Sequence, residues 1–125
     1  MKEIISTEKG PKALGPYSQA VKANGFIFTA GQGPLDPATG KLVQGDTAAQ
    51  TVRVMENLKA IVEAAGSSLD RAVKANVYLK DTQDFAAMNE VYGRYFPQNP
   101  PARTTIQAAR LPLDIRVEID LVVLA

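Results

Sequence analysis

Two periods of apolar residues divide the chain. In the first third the apolar residues come in short runs, EIIST near the start and then AVKA and FIFT on either side of Asn24-Gly25. Asn-Gly between apolar runs is the strongest short hairpin signal, because both residues accept a positive φ. ALGPYSQ before the hairpin reads as loop, and Asp36-Pro37 and Thr39-Gly40 after it read as turns. From Asp46 the spacing becomes helical, with Ala48, Val52, Met55, Leu58 or Lys59, and Val62 on one stripe. Asp46 is placed as N-cap and Gly66 as the C′ stop, giving a helix of about five turns.

Strict alternation then returns. Val73, Ala75, Val77 and Leu79 face one way, and Lys74, Asn76, Tyr78 and Lys80 the other, as in a half-buried strand. DTQDFAAMNEVYGRYF is expected to form a second helix on Phe85, Met88, Val91 or Tyr92, and Tyr95 or Phe96. PQNPP stops it. Two strands follow, one from Arg103 and one ending in VEIDLVVLA. The order is β-β-β-α-β-α-β-β, an α+β sandwich with two helices available to cover one sheet face. No linker or repeat interrupts it, so residues 1–125 are expected to form a single domain.

The other sheet face is less simple. In the last strand Val117, Ile119, Leu121 and Val123 point at the helices. Arg116, Glu118, Asp120, Val122 and Leu124 lie opposite, polar in one half and apolar in the other. Arg103, Thr105 and Gln107 share a face of the preceding strand. Such a mixed face is either a satisfied surface or an oligomer interface. A charge among apolar neighbours also needs something to meet, and Arg103 and Glu118 both raise that question.

Composition narrows the chemistry. There is no His, Cys or Trp, which excludes His/Cys zinc sites, disulfides and Ser–His or Cys–His nucleophile pairs. The phosphate-cradling glycine patterns are absent too. Acid–base work falls to Asp, Glu, Lys or Tyr. A net charge of +1 gives nucleic acid or an anionic membrane no strong footprint. No apolar run reaches the roughly 18 residues of a membrane span, and MKEIISTEKG has no signal-like apolar core, so a cytoplasmic location is the expectation.

GPYSQAV, FTAGQGPLDPATG, MNEVYGRYFP, PPARTT and VEID occur in register along essentially the whole chain. Together they resemble the RidA/YjgF/YER057c/UK114 family of reactive-intermediate (enamine/imine) deaminases. The resemblance implies a chorismate-mutase-like α+β domain with a mixed six-stranded sheet, assembled as a homotrimer with ligand clefts between subunits and the last strand inside the sheet. It implies hydrolysis of small 2-imino acids, released by pyridoxal-phosphate enzymes, to 2-keto acid and ammonia. No metal and no organic cofactor is implied.

Within that resemblance Arg103 clamps the substrate carboxylate, since its planar fork matches a carboxylate as Lys cannot. Glu118 orients the water and manages its proton, with Asp120 as the competing carboxylate. Tyr17 lines the cleft, Gly31 lets backbone approach the ligand, and Thr105 offers a polar contact. Asn89 matches an Asn in the family's second helix. Ala30 stands where many relatives carry Ser, and Thr105 where many carry Cys, so substrate preference is open.

Two rival readings remain: an endoribonuclease that inhibits translation, and a non-catalytic trimer that binds small carboxylates. Strand geometry adds one expectation. Paired as a simple hairpin, the last two strands would leave Arg103 and Glu118 roughly 13 Å apart along the strand. Either those strands are not neighbours or the two residues come from different chains.

Overall fold

The computed structural model describes all 125 residues. Its strands are β1 (Glu3–Ile5), β2 (Ala20–Ala23), β3 (Phe26–Thr29), β4 (Ala72–Leu79), β5 (Ala102–Gln107) and β6 (Val117–Leu124). Its helices are α1 (Thr47–Ala64), between β3 and β4, and α2 (Phe85–Tyr95), between β4 and β5. The element order matches the sequence reading.

Local chemistry explains the boundaries. Asn24 and Gly25 take φ of 52° and 82°, closing the β2–β3 hairpin as Asn-Gly is suited to do. The Asp46 carboxylate accepts the Ala49 N–H at 2.9 Å and caps α1, a contact worth about 1 kcal/mol. Gly66, at φ 88°, ends the helix. The buried stripe of α1 is Val54, Met55, Leu58, Ile61 and Val62, with Thr47, Gln50, Thr51 and Asn57 beside it. Val52, expected on that stripe, is exposed. It lies a position away from a face that runs through Thr51 and Val54 instead. On α2, Met88, Val91 and Tyr92 are buried, while Phe85 is exposed.

The strand order is β1-β2-β3-β6-β4-β5. Only β4 and β5 are parallel, joined through α2 as a parallel pair requires. β6 sits between β3 and β4 and pairs antiparallel with both. The last two strands are therefore not neighbours, the first of the two geometric alternatives. Val73 does not join the buried face of β4. A bulge between Ala72 and Lys74 turns it out and lets Ala72 pair with Val123 in its place.

The core lies between the helices and one sheet face, as a cluster of 21 buried residues. Val117, Ile119, Leu121 and Val123 of β6 all point into it. The opposite face has no helix over it. An apolar row Ile4–Val21–Phe28–Val122 crosses four strands in register there, with Ile4 and Phe28 exposed.

Candidate active site

Strand register decides which candidate residues meet. Arg103 pairs with Ala75 and Thr105 with Val77, so both side chains lie on the helix-covered face. Glu118 pairs with Tyr78 and Asp120 with Asn76, on the uncovered face. Cross-strand partners project to the same side of a sheet. Arg103 and Glu118 of one chain therefore stand on opposite sides of it, and each builds its own half-site.

The first half-site surrounds Glu118. A two-way bridge between Gln32 and Ile119, with N···O distances of 2.9 and 3.2 Å, draws the 30–33 segment onto β6. Gly31 is thereby pressed against the acid. A Cβ built on it would lie 3.0 Å from the Glu118 Cδ and nearer still to Oε2. Only Gly allows that approach. Tyr17 reaches the same cavity of about 120 Å³, and its hydroxyl accepts the Leu14 N–H at 3.1 Å. Lys12, Leu113 and Ile115 complete the rim.

The Glu118 carboxylate is half-buried and makes no hydrogen bond or ion pair within the chain. Burial, and then the negative charge of Asp120, push its pKa above the ordinary value.

Buried amides hold this half-site in place, and the sequence reading did not single them out. Gln19 accepts from the Thr7 N–H at 2.7 Å and donates to the Thr7 and Pro11 carbonyls, fixing the loop that presents Tyr17. Asn57 donates to the carbonyls of Gly33 and Leu35, tying the 31–35 segment to α1. Gln50 accepts the Arg116 N–H at 2.9 Å, anchoring the entry to β6. Polar residues on the apolar side of α1 were the available signal, since buried amides need partners.

The second half-site surrounds Arg103. Its guanidinium lies 4.7 Å from the centroid of Tyr92 and 5.4 Å from that of Phe85. Nη1 donates to the Asn89 Oδ1 at 2.8 Å. Rings and amide hold the fork from α2, yet it forms no ion pair. An open cavity of about 420 Å³ beside it is lined by Asn89, Tyr92, Pro100 and Pro101 among others. The Tyr92 hydroxyl and Thr105 Oγ1 are buried without a hydrogen-bond partner. Burial raises the Tyr92 pKa, with Arg103 partly opposing it. The structure thus brings together Tyr17, Gly31 and Glu118, and separately Asn89, Arg103 and Thr105.

This fold, with a free carboxylate on one face and a free guanidinium on the other, defines an α+β protein of the kind the sequence resembled. Residues 7–125 match the family model described as Endoribonuclease L-PSP. A protein of Pyrococcus horikoshii named as a RutC family protein is 57% identical over 120 residues, covering 96% of this chain and 95% of that one. A protein of Arabidopsis thaliana named Reactive Intermediate Deaminase A, chloroplastic, is 47% identical over 119 residues, covering 95% of this chain and 64% of that one. The crystal structure of E. coli TdcF with bound serine superposes with a TM-score of 0.93 at 40% identity, covering 98% of each chain. The chain belongs to the Endoribonuclease L-PSP family, also known as YjgF/RidA. No helix in it is long and apolar enough to cross a membrane.

Proposed function

We propose that the protein is a hydrolytic deaminase of small 2-imino acids such as 2-iminobutanoate and 2-iminopropanoate. The observation that carries this reading is the pair of unneutralised charges. Glu118 is a half-buried carboxylate with no partner, and Arg103 is an oriented guanidinium with no anion. Because they lie on opposite sides of one sheet, a shared cleft takes Glu118 from one protomer and Arg103 from the next. The half-apolar open face gives such a homotrimer its buried surface. A relative named as a deaminase, and another crystallised with an amino acid, fit the same reading.

In this mechanism Arg103 holds the substrate carboxylate in a bidentate grip, steadied by Asn89 and the Tyr92 ring. Thr105 adds a polar contact to the same group. Glu118, as carboxylate, takes a proton from water while the water oxygen bonds to the iminium carbon. The resulting carbinolamine receives that proton on nitrogen. The carbinolamine hydroxyl then gives its proton back to the Glu118 carboxylate as the C–N bond breaks, so that ammonia leaves and the 2-keto acid forms. Gly31 keeps the approach to Glu118 open, and Tyr17 closes the wall. The chemistry calls on no cofactor, and the working unit is one domain over residues 1–125 acting in the cytoplasm.

The experiment follows the lifetime of imine generated by a dehydratase, with and without the protein. Faster loss of imine that disappears in Arg103→Ala supports the reading. Unchanged imine lifetime, with retained binding of small carboxylates, replaces it with a non-catalytic binder. Cleavage of RNA replaces it with the nuclease reading.

A further inference from the structure

β6 carries two carboxylates on its open face, and the structure treats them differently. Both oxygens of Asp120 are occupied. Oδ1 accepts from Asn76 Nδ2 at 2.8 Å, and Oδ2 accepts from the Tyr78 hydroxyl at 3.1 Å. Both donors come from β4, where Asn76 is the direct partner of Asp120 and Tyr78 the direct partner of Glu118. Glu118 receives no donor at all and meets the backbone of Gly31 instead. Two donors on one acid fix its side chain in place. An acid without donors keeps its lone pairs free for a proton.

We propose that Asp120, fixed by Asn76 and Tyr78, is a positioning residue whose negative charge sets the basicity of Glu118. It does not touch the reacting atoms. It makes loss of the Glu118 proton harder, so the carboxylate that forms is a stronger base toward water. The raised pKa of Glu118, caused by burial and then by Asp120, agrees with the geometry.

The other charged or titratable groups around Glu118 are few. Tyr78 faces it from β4, and Tyr17 and Lys12 line its cavity from the N-terminal loop. Lys12 has no ion-pair partner, whereas Arg116, just before β6, lies 3.7 Å from Asp84 and Lys80 lies 3.0 Å from Asp114. The 31–33 segment adds no titratable side chain. Arg103 of an adjoining protomer would add a further charge, in the cleft proposed above.

This inference rests on the deaminase reading for its meaning and is tested apart from it. The assembled protein, labelled with ¹³C at the glutamate carboxyl carbons, is titrated and the Glu118 signal assigned by its loss in Glu118→Gln. Wild type is compared with Asp120→Asn, and with Asp120→Ser should the first variant not fold. Ser still accepts a hydrogen bond and carries no charge.

The expected result is a lower Glu118 midpoint in the uncharged variant. An unchanged midpoint overturns the proposal, because a merely structural Asp120 would alter stability without moving that titration. Where imine hydrolysis is measurable, the acid limb of its pH profile moves down with the midpoint, so the variant retains more of its plateau rate at low pH. Should wild type hydrolyse no imine, the functional reading fails while the titration still decides the role of Asp120.

Discussion

The half-site around Glu118 and the half-site around Arg103 share one sheet and handle charge in opposite ways. Glu118 sits against backbone, half out of water, with no donor and a like charge two residues away. Arg103 rests on two aromatic rings with an amide tying one nitrogen. The first arrangement makes protonation adjustable. The second fixes direction. A proton-handling group gains from an uncomfortable setting, whereas a clamp gains from a rigid one.

The sharpest way to break this contrast is to remove each charge. Glu118→Gln is expected to lower kcat by roughly 10²–10⁴-fold with KM little changed. Arg103→Ala is expected to raise KM as well as lower kcat, about 10²-fold in kcat/KM, and Arg103→Lys to recover little of it. Steady-state kinetics on generated imine separate the two patterns. Equal effects on KM from both variants would erase the division of labour.

Mixing the two dead variants sharpens it further. Co-assembled Arg103→Ala and Glu118→Gln subunits should regain activity at about a quarter of their sites in a symmetric trimer, since some clefts then combine two intact halves. No recovery in verified mixed trimers would place both residues in a site within one chain, against the sheet geometry.

A subtler variant tests the fit at Gly31. Gly31→Ala should push the Glu118 carboxylate aside, because the flexible acid yields before the strand does. The expected loss is roughly 10–100-fold in turnover, with a melting temperature close to wild type.

The next difference is one of pH. Folding raises the Glu118 pKa above its ordinary 4.5, so the folded state favours the protonated acid. That contribution to stability is fully present below the unfolded value and is lost as pH rises through the folded one. Glu118→Gln should therefore melt higher than wild type at neutral pH, with the gap narrowing toward pH 4. Thermal melts across pH check this. The smallest effect lies at Leu113, which holds φ at 60° on the rim of the Glu118 cavity. Leu113→Gly should stabilise the protein by about 1 kcal/mol or less in chemical denaturation.

How far all this was legible in the sequence depends on the range of the signal. Asn24-Gly25, the Asp46 cap and the alternation of β6 are local, and the structure matches each. Val73 misled because a bulge costs one residue of register and leaves no mark in apolar spacing. Val52 misled because one apolar residue beside a stripe shifts its apparent centre.

The two half-sites were harder. Period two gave Arg103 and Glu118 each a set of face-mates but could not say that the faces were opposite. That relation passes through β4, which separates β5 from β6 and comes from another part of the chain. The rings under Arg103 and the donors on Asp120 were hidden for the same reason. Each is set by pairing between distant segments rather than by spacing within one.

The central position of β6 also governs how the molecule comes into being. Residues 117–124 are made after every other strand, yet they fill the slot between β3 and β4. While a nascent chain still lacks them, those two strands expose unpaired edges, and α1 has lost much of the floor it packs on. Bare edges recruit other chains. A chain lacking residues 117–124 would therefore be a sticky fragment with two open edges rather than a slightly smaller sheet.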